Sequence, residues 1–301
     1  MRPDVSVLVP TRNRPSVISR ALESVRRQRN VSSETIVVDD GSTPSNALAL
    51  REVCAEYSSV RLKRLERSVG PSAARGAALA EAAGRFVCAL DDDDEFLSGK
   101  LESQLGAIDG VRDGVAVTGV ELVGGGATPV RHLPGLHGVV RLDGDRDPFG
   151  RLRAGVFVHT YLLETELLRR VGGYDPQLRW GEHTELFLRL RRTASFAGVE
   201  AIGTRMDRGA DREHASRDWD AKAAGIRRIM DLHAEDFRRA RSRRAEWLDV
   251  LGVTLLRAGR RAEARRAFAS SIAARPLRAS SLRHLVGAAT HSEGIVGGAR
   301  R

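Results

Sequence analysis

The amino-terminal half of the chain alternates short apolar runs with stretches whose apolar residues recur every three or four positions. Val5-Ser6-Val7-Leu8-Val9 is long enough for one buried strand and is expected to stop at Pro10, before the polar loop Thr11-Arg12-Asn13-Arg14-Pro15. Val17, Ile18, Ala21, Leu22 and Val25 then fall on one face of a helix. Thr35 to Val38 reads as a second strand, and Leu50, Val53, Cys54 and Tyr57 share the face of a second helix. Val60 and Leu62 mark an edge-like third strand, Gly70-Pro71-Ser72 opens an alanine-rich helix from Ala73 to Ala83, and Phe86 to Leu90 is a fourth strand. Strand and helix in alternation predict an α/β fold with a parallel, doubly wound sheet, in which ligands sit beyond the carboxyl ends of the strands.

Further along, Lys100 to Leu105 reads as a helix, Val115 to Val123 as a strand turned by Gly124-Gly125-Gly126, and Pro134 to Gly155 as a mobile flap. Val156-Phe157-Val158-His159 is expected to resume the sheet. Thr165 to Val171 forms a helix closed by Gly172-Gly173-Tyr174-Asp175, and Leu178 to Glu185 leads into a helix carrying Leu186, Phe187, Leu188 and Leu190.

Three strand ends carry the candidate chemistry. The first brings Thr11 to Arg14, the second Asp39-Asp40, and the fourth Asp91-Asp92-Asp93-Asp94 with Glu95 behind. Adjacent carboxylates at the edge of an apolar sheet repel one another and call for a cation or a set of donors. Hard oxygen ligands favour Mg²⁺ or Mn²⁺ over zinc. The same acids would also suit the first turn of a following helix. No Gly-x-Gly-x-x-Gly follows the first strand and no Walker lysine is present, so neither a dinucleotide fold nor a P-loop explains the pattern. A Glu182-His183 pair at a helix start, just after Trp180-Gly181, is a second cluster suited to proton transfer.

Composition changes this picture little. With 301 residues the chain can bury a full core, and its two cysteines, Cys54 and Cys88, fall at core positions rather than as a disulfide or metal pair. The formal charge of +10 suits an anionic partner, but without zinc-ligand spacing or surface aromatic runs no nucleic-acid binding is expected. No run approaches a membrane span and no signal-peptide pattern precedes the first strand. The expectation is a cytoplasmic protein with at most peripheral contact at the inner membrane face.

Val5 to Asn13, Ile36 to Ser42, Gly70 to Gly76, Leu90 to Leu101 and Gly172 to Leu190, in that order, resemble the family-2 inverting glycosyltransferases of GT-A fold, over about residues 4 to 200. The resemblance implies a single Rossmann-like sheet in residues 1–215 and transfer of a sugar from a nucleoside diphosphate donor, most often a UDP-sugar, with Mn²⁺ or Mg²⁺. The acceptor, whether sugar, lipid, peptide or small molecule, is left open. By position, Pro10, Thr11 and Arg14 would line the nucleotide pocket, Asp39 would accept from uracil, and Arg75 would lie near the nucleotide. Asp91 and Asp92 would face the ribose or donor sugar, and Asp93 would be the metal ligand of the DXD motif. His214 could reach the metal or the diphosphate.

The family places its base where this chain has His183. A neutral imidazole could serve, Glu182 or Glu185 could replace it, or the domain could have lost activity and act as a binding module through its helical region.

That region, residues 216–301, is expected to be an all-α appendage. Leu248, Leu251, Gly252, Leu255, Gly259, Ala264, Phe268 and Pro276 fit one tetratricopeptide-like helical hairpin, suited to packing, an acceptor or a homodimer contact. A half-present second pair through Ser281 to Ala289 and a frayed tail from His291 complete the reading. The basic cluster Arg238, Arg239, Arg241, Arg243 and Arg244 reads as a solvated helix face or a contact with an anionic surface.

Overall fold

The computed structural model describes residues 2–124, 128–136, 138–142, 157–207 and 218–275. Among them, those up to Asp207 apart from 178–181 form one compact unit, and 178–181 with the residues from Asp218 form a second.

The first unit is built on one mixed sheet. Its first half follows the alternation in the sequence: β1 (Val5–Thr11), α1 (Pro15–Arg26), β2 (Ser33–Asp39), α2 (Pro44–Ala55), β3 (Val60–Arg64), α3 (Pro71–Glu81) and β4 (Phe86–Ala89). Strands β3, β2, β1 and β4 lie side by side and all parallel. Val5, Val7 and Val9 face Ile18 and Leu22 of α1 and Leu50 of α2 in the main apolar core, while α3 packs on β1 and β2. Cys54 and Cys88 are both free thiols in that core.

Strand β1 runs through Pro10 instead of stopping there. The Leu8 carbonyl accepts from the Leu90 amide, and Pro10, two residues on, turns its missing donor to the same side, past the last β4 pairing at Leu8–Ala89.

The second half is less regular: β5 (Glu95–Phe96), α4 (Lys100–Ala107), β6 (Gly114–Val123), β7 (Val130–His132), β8 (Val139–Arg141), β9 (Tyr161–Glu164), α5 (Thr165–Arg170), α6 (Glu182–Leu190) and β10 (Ser195–Asp207). The sheet order is β3-β2-β1-β4-β9-β6-β10-β5, with β7 on β6 and β8 on β10. β9 is antiparallel to both its neighbours, whereas β6 and β10 are parallel.

Two expectations need correction. The run ending in His159 is not a strand: Val158–Thr160 is a 3-10 turn, and the strand starts at Tyr161. Within the expected flap, Val139–Arg141 pairs with β10; the rest of that flap from 143 to 155 lies outside the described residues, as do 208–217 with His214 and everything after Arg275.

The second unit contains α7 (Trp219–Leu232), α8 (Ala234–Arg239), α9 (Arg241–Arg257) and α10 (Arg261–Ala274). Helices α9 and α10 form a hairpin whose closest approach is set by Gly252: a Cβ there would lie 2.4 Å from Cε1 of the buried Phe268. Among the described residues no helix is long and apolar enough to cross a membrane.

Lys100 is an unusual member of the first core. Fully enclosed, it donates to Gln104 Oε1 and lies 4.3 Å from the Phe96 ring centre, and burial pushes its ammonium down to about 8. Its folded-state value lies below its unfolded one, so between about pH 8 and 10.5 the unfolded chain binds the extra proton and folding gains stability as pH rises. Lys100→Met is therefore expected to remove that gain. The wild-type minus variant stability difference, from urea melts, should shift in favour of wild type by roughly 3 kcal/mol from pH 7 to 10.5.

Candidate active site

The site lies beyond the carboxyl ends of β1, β2 and β4, all within the first unit. After β1, Asn13 takes a left-handed conformation at φ 56°. Its amide donates to Ser42 Oγ at 2.8 Å and its side-chain oxygen accepts from the Thr43 amide at 2.8 Å, tying the first loop to the second. After β2, Asp39 is buried, accepts from the Ser42 amide at 2.9 Å and approaches Arg64 at 3.6 Å. Asp40 faces the other way and accepts from the Val69 and Gly70 amides and Ser68 Oγ, so it holds the loop that leads into α3.

The four aspartates after β4 divide two and two. The Asp94 amide donates to the Asp91 carbonyl at 3.1 Å, closing a turn that brings the first and last acids to one side. Asp92 and Asp93 are gripped by Arg14 at 2.9 and 3.0 Å, and Thr11 Oγ1 donates to Asp92 at 2.6 Å. Burial pushes Asp92 up to about 6 against these partners. Thr11 and Arg14, expected to line a nucleotide pocket, are thus engaged in holding acids. Asp93, expected as the metal ligand, faces a guanidinium, and Asp92 is turned inward rather than toward an open crevice. Pro10 stands half-buried at the head of the same loop. Glu95 is not part of the cluster; it lies in β5, 3.1 Å from Arg20.

Asp91 and Asp94 meet a residue that the sequence did not single out as chemical. With His159 they place one ligand atom each within 4.8 Å of one another. His159 is 1% exposed and neither ring nitrogen has a hydrogen-bond partner. Burial pushes its imidazole down to about 4, so the 3.4 Å approach of Nδ1 to Asp94 joins a neutral ring to an acid and is not an ion pair. Asp94 is held well above the carboxylate range by burial and by the charges of Asp91 and Asp93. Asp91 also accepts from Arg75 and Asp94 from the Asp207 amide, but both His159 ring nitrogens are unpartnered, and the three convergent ligand atoms fit a divalent cation. His159 could have been found from the same signal as the aspartates, a polar side chain ending an apolar run.

The remaining cluster surrounds Arg75 on α3. Its guanidinium, 2% exposed, donates to Glu182 Oε1 at 2.7 Å and to Asp91. Despite its burial it stays charged, because both carboxylates raise its affinity for the proton. Asp91, whose side chain is 36% exposed, is held below the usual carboxylate range: burial opposes ionisation, but Arg75 outweighs it. Glu185 is chelated by Arg189, which also donates to the Val171 and Gly173 carbonyls. Both glutamates that could have stood in for His183 therefore serve arginines. His183 carries no such bond to an arginine; its ring lies 6.0 Å from that of Phe157, which stacks on His159 at 5.5 Å. Burial lowers the His183 pKa, so the ring is neutral at physiological pH.

A mixed sheet with an acid-bearing edge at its parallel strand ends, followed by helices, defines a GT-A fold. Residues 6–157 match the model of Glycosyl transferase family 2. The chain belongs to that family. It is 35% identical over 124 residues to the succinoglycan biosynthesis protein ExoO of Rhizobium meliloti, covering 40% of this chain and 34% of ExoO. It is 31% identical over 231 residues to a pre-mycofactocin glycosyltransferase of Mycobacterium tuberculosis, covering 73% of this chain and 45% of that protein. The chain thus spans less than half the length of these relatives. The structure of S. aureus TarS 1–349 in complex with UDP-GlcNAc shares the fold, with a TM-score of 0.61, 20% identity and coverage of 95% of this chain and 79% of TarS.

Arg75→Ala would leave Asp91 and Glu182 without their shared cation. The expected loss is roughly 3 kcal/mol, at the low end for a broken buried pair because Asp91 keeps some solvent. The Asp91 share of this loss is full above about pH 4 and fades as acid protonates it, since its folded-state affinity for the proton is the lower one. Urea melts at pH 7 and pH 3.5 check both statements.

Proposed function

We propose that the chain is an inverting glycosyltransferase that moves a sugar from a nucleoside diphosphate, uridine-based, to an acceptor hydroxyl. The observation that carries this reading is the cluster of Asp91, Asp94 and His159 at the carboxyl edge of the sheet, whose ligand atoms converge within 4.8 Å while neither His159 ring nitrogen has a hydrogen-bond partner. Family membership and the TarS structures with UDP-GlcNAc and with UDP support the choice of donor class.

In this reading Asp91, Asp94 and His159 hold a Mn²⁺ or Mg²⁺ ion, a set that differs from the Asp93 and His214 of the sequence reading. When bound, such an ion supplies Lewis-acid stabilisation of charge on a diphosphate. The protein itself prepares the rest. Arg14 keeps Asp92 and Asp93 turned away from the cluster, so that two acids, not four, present themselves to a cation. Arg75 fixes Asp91 against the amino-terminal end of α6, where His183 stands next to Glu182. His183, neutral and without a bond to an arginine, takes the proton from the acceptor hydroxyl as that oxygen attacks the anomeric carbon.

Calorimetry with UDP and Mn²⁺ tests the donor site. UDP affinity is expected to fall at least about tenfold on adding a chelator, and Asp94→Asn and His159→Ala should each abolish that metal dependence. UDP binding indifferent to Mn²⁺ in the native protein would remove the metal from the proposal.

His183 has its own test. His183→Ala is expected to lower turnover by about 10²- to 10⁴-fold, with UDP affinity unchanged. His183→Asp should recover part of that loss. The acid limb of kcat/KM should lie below the ordinary imidazole value of about 6.5, because the folded ring binds its proton more weakly, and should move further down in the Asp variant. Normal turnover by His183→Ala would exclude this residue as the base.

A further inference from the structure

The second unit carries a cluster that the transfer reaction does not use. Lys222, on α7, places its ammonium 5.0 Å from the centre of the Trp180 ring and 5.5 Å from that of Trp219. Arg257, the last residue of α9, places its guanidinium carbon 4.8 Å from the Trp219 ring. Three separate segments therefore meet around two indoles and two cations. Trp180 is fixed there by a close backbone approach, since a Cβ on Gly225 would lie 2.4 Å from the Trp180 carbonyl oxygen.

The two cations stand out by what they lack. The neighbouring Arg227 is paired with Glu263, and Arg260 with both Asp220 and Glu263. Among the described residues, Lys222 and Arg257 have no carboxylate partner. The indole faces offset part of the cost of holding them together, but they neutralise no charge. Lys222 is half-buried, and burial together with the charge of Arg257 lowers its pKa. Like charges pressed together between aromatic rings are relieved by an anion that also offers apolar surface.

We infer that the Trp180–Trp219–Lys222–Arg257 cluster binds an acidic saccharide, its pyranose C–H faces against the indoles and its carboxylate or phosphate between Lys222 and Arg257. The saccharide is favoured over other anions with flat faces on the strength of the proposed transfer of sugars.

The experiment is calorimetry on the full chain with four probes: tetragalacturonic acid, its methyl ester, inorganic phosphate and a thymidine octamer. Tetragalacturonate is expected to bind with an affinity that falls with added salt, and at least about tenfold more tightly than the uncharged ester. The double variant Lys222→Gln/Arg257→Gln, and Trp219→Ala separately, should each weaken it about tenfold while leaving UDP binding intact, which shows that the sheet unit is still folded. Equal binding of the ester, phosphate or octamer as tight as tetragalacturonate, or no effect of the variants, would overturn the assignment. Because the readout needs no transfer, a chain that binds tetragalacturonate but not UDP would sink the transferase reading and leave this one standing; the converse would do the opposite.

Discussion

Negative charge at the end of β4 is the constraint from which the rest of this site follows. Four consecutive aspartates beside an apolar sheet drive one another's protons on, and two arginines, one just before α1 and one in α3, relieve part of that repulsion. Arg14, just before α1, takes the middle pair, and Arg75, from α3, takes Asp91 together with Glu182. Each guanidinium offers a planar fork that can serve two carboxylates at once, which a lysine ammonium could not do with the same geometry. That suits a chain in which only Lys63, Lys100 and Lys222 are lysines.

Division of the acids also joins the two parts of the candidate site. Arg75 is the buried link between the strand end that bears Asp91 and the helix start that bears Glu182 and His183. Phe157 forms a second, apolar link, stacked on His159 and tilted against His183. A group that changes the charge at Asp91 would act through Arg75 on the segment that carries His183. The strand end of Asp91 and the helix start of His183 are thus coupled by packing and by charge.

Much of this was legible in the chain. Short apolar runs located β1, β2 and β4, which are buried on both faces, alternation marked the edge-like β3, helical spacing marked α1 and α2, and the polar strand ends marked the crevice. Which aspartate faces which partner was not legible. Residues 91–94 form a turn rather than a strand, so the first and fourth acids share a side and the alternation of an extended chain does not apply. The signal that could have marked His159, a polar side chain ending an apolar run, does not disclose its partners, since the run reads as extended whereas Val158–Thr160 is a 3-10 turn that buries the ring. β10 carries little period-two pattern: it pairs with β6 through two register shifts, between Val199 and Ile202 and between Ile202 and Thr204, and the second, a one-residue slip, changes the side that a residue faces.

The departure at His183 is less of a loss than the motif suggests. In the family pattern a carboxylate stands at this position as the base, beside Glu182. Here an aspartate would sit next to Glu182 and within range of Asp91, adding a third negative charge near the buried Arg75. A neutral imidazole accepts the same proton without that repulsion, and on protonation its positive charge is favoured by Glu182 and Asp91 although burial opposes it. Histidine at this position therefore keeps a neutral proton acceptor beside Glu182 while easing the electrostatic load on Arg75.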